Sequence, residues 1–389
     1  MAAIKSVPGS FHIDWLLFFI AFSLLGLGYV MVVSASLHLG AKMNGNSMYY
    51  PLRQLLHIIA GLVAGFAITA TPLKVWEKHG PILFLFGLFL LVLVLIPGVG
   101  IRVNGSSRWI SLMGVRIQAS ELMKLVSVIY IAGYVDRNKK IVQQALFSLV
   151  KPLVLFAGAC ALLLLEPDFG SSVVIITIVM GVMYLAGARL GQFVILIALV
   201  SVLARELIYS SPYRLARVTS FVNPWADAQD TGFQLVQALI AFGRGEVYGV
   251  GLGSGVQKIF YLPEAHTDFL FSVLAEELGL IGVLGIIFLF GGFILRAFYI
   301  GMKAEEVGLR FAAFIAYGLG IWFGFQAFIN MGVNMGMLPT KGLTLPLMSY
   351  GGGSMIIMCV AVALLFRVYS EVTEQIKSVP KGKQEWIKE

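Results

Sequence analysis

The 389-residue chain is 59% hydrophobic and only 12% charged, and 28 basic residues against 20 acidic ones give it a formal charge of +8. So little charge cannot cover a soluble globule of this size, which excludes the soluble classes and makes lipid the expected solvent for most of the chain. The basic excess suits anionic lipid on one side and an anionic ligand on the other.

Residues 1–13 form a short N-terminal segment, and the apolar run after it is too long for the core of a cleavable signal peptide. Runs of spanning length recur at about 14–37, 53–72, 80–97, 119–135, 150–166, 170–187, 190–209, 269–298, 310–332 and 352–369. Lipid forces backbone polar groups to pair within their own segment, so the expected fold is an all-α polytopic membrane protein of about ten transmembrane helices. Between spans 7 and 8 lies a large loop, about 210–268, long enough to be functional. Its apolar stretch 233–242 is expected to lie flat on the membrane edge or to re-enter it. The stretch Glu166-Pro167-Asp168-Phe169-Gly170 reads as a tight turn at a membrane face. A charged tail, 371–389, follows the transmembrane domain 14–370. With ten spans both termini share a side, where sixteen of the 28 lysines and arginines fall, so both termini are expected in the cytoplasm and the large loop outside. Cys160 and Cys359 sit in apolar runs and read as small buried residues.

Polar groups collect in three places. In the first, Asn104-Gly105-Ser106-Ser107-Arg108-Trp109 leads on to Arg116 and Gln118. Arg108 and Arg116 suit forked hydrogen bonds to a pyrophosphate, or equally to lipid headgroups, with Trp109 as an interfacial residue. Glu121 and Lys124, three apart at the head of the fourth span, share a helix face and are expected to form a structural ion pair. In the second, Leu262-Pro263-Glu264-Ala265-His266-Thr267-Asp268 ends the large loop just before a span. Asp268 suits an N-cap acid or a general base at the mouth of a wet cavity. Arg214, Arg217, Arg244 and Lys258 lie in the same loop and suit a phosphate leaving group or anionic headgroups. In the third, two prolines and four glycines between Leu338 and Ser354 break a span, and a buried hairpin there would carry Lys341 and Ser349 towards a central site. There is no P-loop and no zinc-binding HExxH; no cofactor is expected and a divalent cation is left open.

Three blocks together resemble the SEDS family (shape, elongation, division and sporulation proteins): NGSSRWISLMGVRIQASELMKL, the run from YRLARVTSFVNPW to LPEAHTDFLFSVLAEELG, and NMGMLPTKGLTLPLMSYGGGS. The stretch PTKGLTLPLMSYGG and the NPW and AFGRGE segments resemble the division type more than the elongation type. The resemblance implies an inverting peptidoglycan glycosyltransferase that polymerises lipid II in septal wall synthesis, with undecaprenyl pyrophosphate as leaving group. It places the catalytic aspartate at Asp268 and matches Arg108, Trp109, Glu121 and Lys124; His266, two residues before Asp268, is a further candidate substrate contact. It also implies a bacterial inner-membrane location at the septum, a class B penicillin-binding protein as transpeptidase partner, and contacts with FtsQ, FtsL, FtsB and FtsN-type divisome proteins. Ala119, Glu166 and Gly353 depart from the family's usual proline, glutamine and serine. The alternatives are a lipid II flippase, with Glu121, Lys124, Glu276 and Glu277 lining a path, and a non-catalytic scaffold.

Overall fold

The computed structural model describes residues 11–103, 106–112, 115–145, 147–210, 221–230, 232–339 and 342–378. Helix α1 (Trp15–Asn44) starts where the Asp14 carboxylate accepts the Leu17 N–H and stops at Gly45 in the left-handed region. Helices α2 (Tyr49–Ala70) and α3 (Leu73–Leu95) follow. The chain then forms a three-stranded antiparallel sheet, β1 (Gly100–Val103), β2 (Ser106–Leu112) and β3 (Val115–Gln118), in that order. Trp109 pairs with Ile101 on one side and Gln118 on the other. This sheet is an addition to the all-helical expectation. The remaining helices are α4 (Ala119–Arg137), α5 (Lys139–Gln144), α6 (Val150–Leu165), α7 (Phe169–Leu185), α8 (Leu190–Tyr209), α9 (Phe233–Gly245), α10 (Leu270–Glu306), α11 (Arg310–Asn334) and α12 (Gly352–Ser378).

Six helices, α1, α2, α3, α10, α11 and α12, are long and apolar enough to cross a membrane; α6 and α7 are shorter apolar helices. With α4 and α8 they account for the ten expected spans. α4 and α11 fill the middle, whereas α2 turns Leu56, Leu62, Val63 and Phe66 outward. So many outward apolar side chains need an apolar solvent, and the protein is a multi-pass membrane protein. One end of the bundle carries the sheet, the α6–α7 turn and the described residues 221–230, 232–269, 335–339 and 342–351. At the other end the two described chain ends meet, where the His12 N–H donates to Ser370 Oγ and Arg296 pairs with Asp14 at 2.6 Å.

Two departures shape the sheet end. α10 is broken at Gly279, whose φ of 62° and ψ of −162° end the buried turns 270–278 before a lipid-facing stretch begins. The break is stitched to the 246–251 segment: Val250 and Gly251 donate to Glu276 O and Glu277 O, and Leu280 and Ile281 donate to Glu246 O and Val247 O. A Cβ on Gly249 would lie 2.1 Å from Glu277 O, so this close approach requires glycine. The second departure is α9, which covers 233–242 and buries Leu235, Val236, Ala238 and Ala241 against the bundle. α12 continues to Ser378, so the first eight residues of the charged tail are helical.

Candidate active site

Asp268 lies two residues before α10. Its backbone carbonyl accepts from Asn330 Nδ2 and Asn334 Nδ2, both at 2.9 Å. Asn334 Oδ1 in turn accepts the Ser272 N–H at 3.1 Å and its hydroxyl at 2.7 Å. In this way α11 fixes the first turn of α10 and the direction of Asp268. The carboxylate is not a helix cap, since Phe269 holds that position without a side-chain bond. Among the described residues none donates a hydrogen bond to it, and a Cβ on Gly342 would stand 3.1 Å from its Oδ2. Burial first, then Glu264, push the carboxyl up to about 7; Arg108 opposes and Asp168 adds to the rise. A recessed carboxyl that titrates near neutrality can accept a proton from substrate at working pH.

Arg108 reaches the site from β2. Its Nε donates to Glu166 O at 3.2 Å and its Nη2 to Pro167 O at 2.6 Å, which satisfies carbonyls left open at the end of α6. Asp168 caps α7 by accepting the Ser171 N–H and hydroxyl, and Gln118 at the end of β3 reaches it at 3.4 Å. Beside them Glu166 is 1% exposed, and among the described residues neither of its carboxylate oxygens has a hydrogen-bond partner. Burial, then Asp168, push it up to about 8 against the pull of Arg108. The His266 ring lies 5.0 Å from Tyr50 and 5.3 Å from Tyr350, and burial lowers its pKa against the opposing effect of Glu264.

The broken segment 342–351 forms the other wall. Its backbone is satisfied by amide side chains from the spans: Gln326 Nε2 donates to Thr344 O, Asn330 Nδ2 to Leu343 O and Gln54 Nε2 to Ser349 O. Irregular backbone at membrane depth persists where protein groups pair it in this way.

Several sequence-predicted residues lie elsewhere or are differently engaged. Lys258, expected to face an anionic ligand, is buried against Glu277 at 2.5 Å and Ser34 Oγ at 2.7 Å, so its charge is already matched. Arg244 lies 3.4 Å from Glu276, which also accepts the Val256 and Gln257 N–H groups. Ser349 Oγ, expected at the substrate, accepts the Leu345 N–H at 2.9 Å and so holds its own turn. Glu121 and Lys124 pair at 2.8 Å, and Lys124 also reaches Gln326 at 2.8 Å. Trp109 is partly buried in the sheet. Arg116 pairs through its backbone with Ser111, and its side chain lies outside what is described; so do Arg214, Arg217 and Lys341 altogether. The geometry adds Glu166, Asp168, Gln118, Asn330, Asn334, Gln54, Tyr50 and Tyr350. The asparagines were legible as two amides four apart within an apolar span. Among the described residues no three His, Cys, Asp or Glu side chains gather as metal ligands.

A helical bundle with a catalytic-type carboxylate in loops at one end matches known proteins along almost its whole length. The FtsW/RodA/SpoVE cell cycle protein family matches residues 14–374, and the chain belongs to that family. Within it the chain stands with the division type, FtsW. It is 62% identical to the probable peptidoglycan glycosyltransferase FtsW of Methylomonas methanica, over 98% of this chain and 99% of that one. It is 58% identical to the counterpart in Methylococcus capsulatus, over 95% of this chain and 92% of that one. Its fold is similar to a chain of a solved peptidoglycan synthase complex that coordinates polymerization and crosslinking, with a TM-score of 0.77 and 27% identity over 93% of this chain and 99% of the other. The rod shape determining protein RodA of Thermus thermophilus aligns with a TM-score of 0.67, also at 27% identity, over 92% and 96%.

Proposed function

We propose that the chain is a peptidoglycan glycosyltransferase that polymerises lipid II at the outer face of the bacterial cytoplasmic membrane, at the division septum. The observation that carries this reading is Asp268: a recessed carboxyl pushed up to about 7, with no donor on it among the described residues, set beside Arg108 and the open side of Gly342. Asp268 takes the proton of the acceptor's GlcNAc 4-hydroxyl as that oxygen bonds the anomeric carbon of the donor's MurNAc. The bond from that carbon to the pyrophosphate oxygen breaks, undecaprenyl pyrophosphate leaves with the electron pair, and the anomeric centre inverts. Arg108 meets the developing charge, and Arg116, Arg214, Arg217 and Lys341 are the further cations for it. His266, its pKa lowered by burial and its ring packed against two tyrosines, and Trp109 on the sheet shape the sugar site.

The buried ionisable residues offer little to a flippase path. Glu121, Lys124, Glu276 and Glu277 each have partners inside the protein. A class B penicillin-binding protein is the proposed partner, with FtsQ, FtsL, FtsB and FtsN-type proteins as wider contacts and both termini in the cytoplasm. The test is to purify the chain with its transpeptidase, supply lipid II in liposomes and compare wild type with Asp268→Asn. Polymer is expected from wild type alone; polymer from both would remove Asp268 as base. Polymer from neither, beside a working control polymerase, would end the transferase reading.

A further inference from the structure

Glu166 takes no part in the steps above, yet it is a buried acid beside the candidate site. Its carboxyl is buried, and among the described residues none donates a hydrogen bond to either oxygen. A buried carboxylate without a protein donor is costly, so burial favours the protonated form. Two charged groups act on it, Arg108 from β2 and Asp168 from its own turn. Arg108 aims Nε and Nη2 at the backbone carbonyls of residues 166 and 167 and leaves the Glu166 carboxyl unbonded. Asp168 is already satisfied by Ser171 and Gln118. The same Arg108 and Asp168 act on Asp268, where Glu264 joins them.

We propose that Glu166 is a positioning residue that works as a neutral acid: protonated, it leaves the Arg108 charge to Asp168, Asp268 and the leaving group, and ionised, it captures Arg108 and withdraws that charge from the site. This rests on the glycosyltransferase reading. Drawing Arg108 away removes the cation that meets the pyrophosphate, so departure of the leaving group suffers.

The pH window follows from the directions. The Glu166 pKa is raised to about 8, so the group is neutral below that value and ionised above it. Asp268, raised to about 7, must be ionised to accept a proton, so activity climbs as pH rises through about 7 and falls through about 8. Glu166→Gln fixes the neutral state with the same shape. One unit above the pKa about a tenth of the acid stays protonated. Polymerisation by the wild-type complex with its transpeptidase is therefore expected to be about sixfold below its maximum at pH 9, with Glu166→Gln within about twofold of its own maximum.

A second measurement needs no turnover. Infrared difference spectra of the purified complex should show a protonated carboxyl band at pH 7 that disappears in Glu166→Gln and titrates near 8 in the wild type. An unchanged alkaline fall in Glu166→Gln, or no Glu166 band at pH 7, would overturn the proposal. Should both proteins fail to polymerise, the transferase reading falls, and the infrared spectra alone decide whether Glu166 is neutral.

Discussion

Asn334 gives one hydrogen bond to the Asp268 carbonyl and takes two from Ser272, so a single side chain joins the candidate base to the helix that follows it. Asn334→Ala leaves the buried Ser272 hydroxyl without that acceptor, a loss of about 1–3 kcal/mol. It also removes one of the two hydrogen bonds on the carbonyl that aims Asp268, leaving that from Asn330, and small misplacements of a catalytic group cost on the order of a hundredfold in rate. The expected outcome is a lower Tm in detergent together with a ten- to hundredfold fall in kcat. Asn334→Asp keeps the acceptor for Ser272 and loses the donor to Asp268, so it should recover stability more than rate; equal recovery of both would sink the aiming role. At this scale residue type and position pointed to Asp268, but only Phe269 at the cap removes the reading of Asp268 as a helix cap, and the base remains the proposal. Lys258 shows the opposite limit. As a cation in a polar loop it looked free, because Glu277 and Ser34, 19 and 224 residues away, meet it only in the folded bundle.

The segment 342–351 lies where a helix would have been simpler, and the amides of Gln54, Gln326 and Asn330 compensate for its broken backbone. Its use is the approach of Gly342 to Asp268. Gly342→Ala places a methyl group 3.1 Å from Oδ2, tighter than ordinary contact, in the space where a substrate hydroxyl would meet the carboxylate. Polymerisation is expected to fall at least tenfold while Tm stays within about 2 °C, since no buried hydrogen bond is lost. A matching fall in Tm would instead make Gly342 a packing residue. The proline and glycine content announced this break in advance, and long apolar runs announced the spans. Two elements were harder to read. The sheet of 100–118 follows strand signals only four to seven residues long, although Asn104-Gly105 between Val103 and Ser106 is a dipeptide that favours two-residue hairpins. The break in α10 was hidden because Gly279 sits inside a run of spanning length, and its cause, backbone pairing with residues 246–251, is remote in sequence.

Across the whole molecule the even number of spans, the meeting of both described chain ends and the distribution of basic residues carry one argument about direction. Sixteen of 28 lysines and arginines fall on the side of the termini, in short loops and tails where such residues resist translocation. The sheet end holds the carboxylates of Glu166, Asp168, Glu264 and Asp268, with Arg108 as the cation acting among them. A polymerase whose product is cell wall needs that end outside. The two native cysteines lie within spans, so replacing both with alanine gives a background in which single reporters can be read. Tyr248→Cys stands at a position 81% exposed at the sheet end, and Ser378→Cys is exposed at the other. In intact spheroplasts a membrane-impermeant maleimide should label Tyr248→Cys, and Ser378→Cys only after permeabilisation. The reverse pattern would put Asp268 in the cytoplasm, where a polymer-forming role could not stand even if lipid II were turned over in a test tube.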